Sequence, residues 1–397
     1  MHTLEIINII LSLIAFTLLS FQLIFSFLFF KRKNKNKNKI ISPNEDVLHV
    51  SVLIPYYNEN NQSIQDTINS IENQENVICE IILVNDGNPK PAIITSKHIK
   101  INHIHLQKNM GKRYALYHGA KLCNYDYLVV VDSDTILKEN AIIKLYNALI
   151  SENAGSVCGN ILVKNENQNL LTSVIAAMYW FAFNMERSSQ SFFGSQIVCS
   201  GALSMYLRKP YVQFSESLIK QQVLGIKCVA GDDRHMTNQF IMNGYRSTWE
   251  KEAIAWTITP HTLKSFIKQQ IRWTRSFCLE VAWILPRINK FKLIHMLFIF
   301  KSLYKYFYLF CLYIVFCCLL TSSHYPLPYL LVHMLLGFLI FASFKGLLSF
   351  VITKKFTMFL KTIGFAILGY MLLSPFLLYA ALTFWKTSWL TRNNNIL

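Results

Sequence analysis

Hydrophobic positions cluster at the two ends of the chain, and alternate with polar ones in the middle. Ile6 to Phe30 is an apolar run with no charged residue. A helix needs about 20 such residues to cross a bilayer. Lys31, Arg32, Lys33, Lys35, Lys37 and Lys39 follow it. A secretory leader has its basic residues before the apolar core, so the order here predicts a retained anchor. The excess of Lys and Arg puts the flank on the cytoplasmic side and the N-terminus outside. Three more uncharged runs lie in the C-terminal third: Tyr306 to Ser323, Tyr325 to Phe344, and Thr362 to Trp385 with a kink at Pro375. Lys345, Lys354, Lys355 and Lys361 place the link before the last run inside. Three crossings leave the C-terminus outside; a hairpin broken at Pro375 returns it inside.

The middle of the chain predicts an α/β domain. His49 to Pro55 reads as a buried parallel strand, followed by a helix to about Glu72. Glu80 to Val84 is a second strand ending at Asn85-Asp86-Gly87, and Tyr127 to Val131 a third ending at Asp132-Ser133-Asp134. Strand, helix and strand in this order predict a doubly wound sheet, whose ligands bind beyond the carboxyl ends of the strands.

Composition agrees with this division. Of 397 residues 52% are hydrophobic and 15% charged, and 39 Lys+Arg against 22 Asp+Glu give a net charge of +17. That excludes intrinsic disorder and departs from a soluble domain, in which about 25% of residues are charged. The basic cluster beside an apolar run points to anionic lipid rather than nucleic acid. Nine cysteines form no CxxC pair, which fits reduced thiols in the cytoplasm. His103 and His105 are not read as a metal pair.

Several short motifs carry candidate chemistry. Asp132 and Asp134, one residue apart after an apolar strand, suit Mg2+ or Mn2+ bridging a diphosphate, or form a solvated turn. Gly231-Asp232-Asp233-Arg234-His235 offers a proton acceptor, or a helix cap by Asp232 or Asp233. Gln269-Gln270-Ile271-Arg272-Trp273 lies in an amphipathic stretch, Leu263 to Trp283. There Arg272 can grip a phosphate and Trp273 face a sugar ring, or both can anchor an interfacial helix.

Together with Ser51–Asn58, Val84–Gly87, Asn109–Arg113 and Cys199–Ser204, these motifs resemble family-2 processive glycosyltransferases over about Ser51 to Trp283. Hyaluronan synthases are the nearest, followed by chitin and chitooligosaccharide synthases of the nodulation type. Trp389-Leu390-Thr391-Arg392 is similar to a C-terminal Trp-Gly-Thr-Arg motif of hyaluronan synthases, with Leu390 in place of Gly. Ala202 stands where hyaluronan synthases usually have Pro, and a single N-terminal span is closer to the chitooligosaccharide group.

The resemblance implies a GT-A-type (Rossmann-like) domain between an N-terminal transmembrane helix and a C-terminal helical bundle. The divisions are 1–30 (anchor), 31–47 (basic linker), 48–260 (GT-A domain), 261–292 (interfacial helices) and 293–397 (channel region and tail). It implies that Asp86, with Lys112 nearby, contacts the uridine. Asp132 and Asp134 hold the diphosphate and metal, and Asp233 is the general base. Asp232 and Arg234 beside it, Gln269, Arg272 and Trp273 bind substrate, Cys199 lies near the acceptor, and Trp389 and Arg392 close over the nucleotide. The implied donors are UDP-GlcNAc and UDP-GlcA, with a growing polysaccharide and membrane lipid as partners, acting as a monomer in the plasma membrane. A single-sugar polymer from UDP-GlcNAc, a lipid-linked transferase adding one sugar, and a transporter without catalysis are the competing readings.

Overall fold

The computed structural model describes residues 2–36, 47–321 and 327–387. In chain order, α1 (His2–Asn36) precedes β1 (Leu48–Tyr56), α2 (Asn61–Glu72), β2 (Val77–Asn85), β3 (Lys100–His105), α3 (Lys112–Ala120) and β4 (Tyr127–Val131). Next come β5 (Ile136–Leu137), α4 (Ala141–Ser151), β6 (Ala154–Val163) and α5 (Leu170–Phe181). A π-helical turn, Ala182–Arg187, joins α5 to α6 (Ser188–Phe192). Then follow β7 (Leu203–Leu207), α7 (Arg208–Lys220), a hairpin of β8 (Gln222–Val223) and β9 (Ile226–Lys227), α8 (Asp232–Met242) and β10 (Arg246–Thr257). The remaining helices are α9 (Leu263–Ile284), α10 (Leu293–Thr321), α11 (Leu327–Thr353), α12 (Phe356–Ile367) and α13 (Ser374–Leu382).

Eight strands form one sheet in the order β3-β2-β1-β4-β7-β6-β10-β5. The expected strands are present, but the sheet is mixed rather than wholly parallel. β3, β2, β1 and β4 are parallel, β7 runs against both β4 and β6, and β5 against β10. Register explains why the site lies at one edge. Tyr56 pairs with Asn85, so β1 and β2 end together, immediately before Asp86. Val131 pairs with Leu203, so the antiparallel β7 brings Ser200-Gly201-Ala202 to the same edge as Asp132. The apolar faces of β1 and β4 need no alternation, because both sides are covered: Val50, Val52, Leu53, Ile54, Leu128, Val129 and Val131 are all buried.

Two expectations change at the helical ends. The basic segment after residue 30 continues α1 to Asn36. Arg32 donates to Glu152 at 2.8 Å, and Lys33 lies 2.5 Å from Glu250. These cations therefore dock the helix on the α/β domain instead of facing lipid head groups. The polar side chain of Ser26 is buried against the Asn184 carbonyl (3.0 Å) and Ser188 Oγ (2.7 Å), which seats α1 on the π turn and α6. At the other end, α11 runs on to Thr353 and takes in Lys345, so the link shrinks to Lys354 and Lys355. The last apolar run begins at Phe356, and its break is the π turn Leu368–Leu373. Pro375 follows in the first turn of α13, where its missing N–H costs nothing. Among the described residues, Ile10–Asn34 and Leu293–Cys311 are long and apolar enough to cross a bilayer.

Candidate active site

A cleft of about 800 Å³ opens at the strand-end edge, between the sheet, the π turn, α8 and α9. It brings together Asp86, Lys112, Asp132, Asp134, Asp232, Asp233, Arg234, Gln269, Arg272 and Trp273, from segments far apart in the chain.

Asp86 follows β2 directly. Its carboxylate accepts the backbone N–H groups of Met110 (2.9 Å) and Gly111 (3.0 Å). It thereby holds the turn that launches α3 and aims Lys112. Lys112 Nζ lies 2.5 Å from Asp132 and 3.5 Å from Asp232, so it joins the two acidic motifs. Burial by itself lowers an ammonium pKa, but Asp132 and Asp232 hold Lys112 well above its ordinary value. Gly201 makes this approach feasible, because a Cβ there would stand 2.9 Å from the Lys112 nitrogen.

The carboxylates differ in character. Burial, then Asp132 and Glu59, push the Asp134 carboxyl up to about 7. Burial would also raise Asp232, but Lys112 and Arg113 bring it below its ordinary value. Asp233, one residue on, is raised by burial and by the neighbouring Asp232 charge. Two adjacent carboxylates with pKa values driven apart are a pattern of acid/base sites. Neither aspartate caps α8, as the alternative reading required. The cap is Gly231 in the left-handed region at φ 78°, and both aspartates occupy the first helical turn. A Cβ on Gly231 would stand 2.1 Å from Ser276 Oγ, one turn after Arg272 on α9. Gly231→Ala is therefore expected to cost about 1–3 kcal/mol in backbone strain, to be read from the denaturant midpoint. Adding Ser276→Gly removes the clash alone and should leave the backbone-strain cost in place.

Gln269, Arg272 and Trp273 share the cleft-facing side of α9. The Arg272 charge is felt by Asp232 and by the half-buried Tyr179, whose pKa burial first and then Asp134 raise. Cys199 does not belong to the cleft wall. It is fully buried behind Val198 and Ser200, its sulfur 3.1 Å from Ser247 Oγ, and burial pushes its thiol up to about 12. The loop before β7 turns its side chain inward, toward Ser156 and Ser247. Trp389 and Arg392 lie outside the described residues.

The structure adds residues that motif reading did not single out. Tyr179, Phe183 and Arg187, from α5 and the π turn, form one wall. Arg187 stacks over Phe183 at 4.2 Å and donates to the Val198 carbonyl at 2.6 Å. The available signal was that Glu186 and Arg187 interrupt an uncharged stretch running from Leu170. Single-turn π bulges often mark functional sites.

The residues present fit a divalent cation. Asp134 and Asp132 are hard oxygen donors, and the raised Asp134 carboxyl shows negative charge short of compensation. Among the described residues no group of three or more Asp, Glu, His or Cys forms a complete cage. Such a site suits Mg2+ or Mn2+, which take further ligands from substrate phosphate and water.

This fold and site define a glycosyltransferase of GT-A type. Residues 51–214 match the family model for glycosyl transferase family 2. An N-acetylglucosaminyltransferase from Azorhizobium caulinodans is 30% identical over 353 residues, covering 87% of this chain and 88% of the relative. Another from Bradyrhizobium diazoefficiens is 31% identical over 250 residues, 60% of this chain and 52% of the relative. A hyaluronan synthase from Streptococcus pyogenes is 34% identical over 241 residues, 58% of this chain and 57% of the relative. The alignment thus spans about half the length of the latter two. A mannosyltransferase from Pyrobaculum calidifontis, solved with GDP-Man and Mn2+, shares the fold. Its TM-score is 0.59 at 17% identity, covering 93% of this chain and 99% of that one. The chain belongs to glycosyl transferase family 2.

Proposed function

We propose that this protein polymerises UDP-GlcNAc and UDP-GlcA into hyaluronan by inverting, processive transfer. The observation that carries the transfer chemistry is the Lys112 bridge between Asp132 and Asp232, in a cleft that Asp233 and cationic Arg272 also line. The Asp233 carboxylate takes the proton from an acceptor hydroxyl. The freed oxygen pair attacks the anomeric carbon, and the bond to the diphosphate breaks with its electrons leaving on UDP. One in-line displacement turns an α-linked donor into a β-linkage. Arg272 and Lys112 face the charge that develops on the departing group. A divalent ion held by Asp134, with Asp132, would neutralise that diphosphate when bound. Asp132 already shares its charge with Lys112, so Asp134 is the principal ligand. Asp86 shapes the nucleoside end, and Trp273, 36% exposed in the cleft, offers an apolar face to the acceptor sugar. Gln269 and Arg234 line the acceptor side.

A polar polymer cannot dissolve in hydrocarbon. The proposal therefore includes passage between α1 and the C-terminal helices of a monomer in the plasma membrane, with the cleft on the cytoplasmic side. A second reading, chitooligosaccharide from UDP-GlcNAc alone, rests on one observation. The relative aligned over 88% of its own length is named an N-acetylglucosaminyltransferase. Enzymatic digestion and NMR of the product separate the two. Hyaluronidase-sensitive, β-linked chains support the first reading, and chitinase-sensitive chains the second. An α-linkage overturns the displacement in both.

A further inference from the structure

Behind the cleft lies a chain of buried polar groups that no reacting atom touches. Its hub is Glu280, on α9 about two turns past Arg272 and 3% exposed. The Glu280 carboxylate accepts from Gln221 Nε2 (2.7 Å), Asn238 Nδ2 (3.0 Å) and His235 Nδ1 (3.1 Å). His235 and Asn238 are three residues apart on α8, so they share one face. At about 100° per residue, Asp233 falls on the opposite face, toward the cleft.

Each partner leads on to another part of the site. Gln221 accepts from Arg113 Nη1 at 2.7 Å. Arg113 follows Lys112, and its Nη2 donates to the Ala230 carbonyl at 2.7 Å, directly before Gly231. Asn238 Oδ1 lies 3.1 Å from His295 Nε2 on α10, and His295 Nδ1 lies 2.9 Å from Ser195 Oγ. Ser195 begins the segment that forms the cleft wall at Val198 and Ser200. Donor helix, base helix, α9 and the first C-terminal helix are therefore tied at one carboxylate.

A buried charge held by hydrogen bonds contributes little net stability relative to a packed apolar core, and its best-attested use is to fix a register. Burial would push the Glu280 carboxyl up, yet the His235 charge and the three hydrogen bonds bring it down to about 2, so the hub stays ionised. We propose that Glu280 is a positioning residue for glycosyl transfer, setting the rotation of α8 so that Asp233 meets the acceptor while Lys112 and Arg272 hold the donor. The inference rests on Asp233 being the base.

The test uses the full-length protein in detergent or nanodiscs with UDP-GlcNAc and UDP-GlcA. Glu280→Gln keeps the volume and offers three donors one amide oxygen. The expected result is a kcat lowered about 10- to 100-fold, as misplacement near 1 Å would cause. The KM for UDP-GlcNAc should stay within about threefold, since donor contacts are not removed. Gln221→Met, which removes both the Gln221 hydrogen bond to Glu280 and the link to Arg113, should lower kcat about fivefold with the same KM. Turnover per folded molecule at the wild-type level, in whichever variant folds, overturns the proposal. So does a fall in activity that is fully accounted for by loss of folded protein. A wild-type protein that shows transfer unaffected by Asp233→Asn overturns the base assignment instead.

Discussion

Asp233→Asn lowers polymer formation and UDP release by about a thousandfold, while UDP binding stays at the wild-type level. General-base catalysis is worth about 10²–10⁴ in rate, and an amide cannot take the proton. Asn preserves shape, and Asp233 makes its hydrogen bond to the following backbone N–H, which an amide oxygen also accepts. Folding is therefore expected to survive, and circular dichroism checks it. The pH profile carries the same signature. Burial and Asp232 raise the Asp233 pKa, so the base is protonated and inactive below it and ionised above it. Wild-type kcat should rise with pH through a limb lying above the ordinary carboxylate range. The small residual rate of the variant should lack that limb. Wild-type turnover in Asp233→Asn contradicts the assignment.

Asp134→Asn is the second large effect. Stripping divalent ions should silence the wild-type protein, and Mn2+ or Mg2+ should restore it. The variant should lose at least about a hundredfold in activity at a metal concentration that saturates the wild type, because an ion at the diphosphate contributes several kcal/mol. Direct Mn2+ binding in the presence of UDP should weaken in parallel. Asp132→Asn should act differently. It removes the 2.5 Å partner of Lys112, leaving that ammonium to Asp232, and its loss should be recovered less completely by added metal. Equal metal dependence in wild type and Asp134→Asn contradicts the ligand role.

Much of this was legible in the sequence where the physics is local. Strand ends announce themselves when a β-branched run stops at Asn85-Asp86-Gly87 or Asp132-Ser133-Asp134, and the structure places both stops at the cleft. The amphipathic spacing of Leu263 to Trp283 became α9, with its motif toward the cavity. Long-range pairings were not legible. Nothing local says that Lys112 reaches Asp132, or that Arg32 and Lys33 find Glu152 and Glu250 rather than lipid. A parallel sheet was expected because strand and helix alternate, but the reversal of β7 depends on pairing with Val131 and Ser156 across the sheet. The burial of Cys199 was not legible for a related reason. Cys199 lies in the loop before β7, and only its packing against Ser156 and Ser247 fixes which way its side chain faces. The Glu280 hub was invisible because Gln221, α8 and the groups they lead on to are far apart in the chain, none a motif by itself.

The central claim is tested most directly by giving the purified protein UDP-GlcNAc, UDP-GlcA, or both, and measuring UDP release together with polymer length. The account predicts long polymer only with both donors present, growing from a small fraction of enzyme molecules at early times, and abolished by Asp233→Asn. Polymer from UDP-GlcNAc alone contradicts the hyaluronan assignment, and no transfer from UDP-GlcNAc under any of the three conditions contradicts the proposed reaction itself.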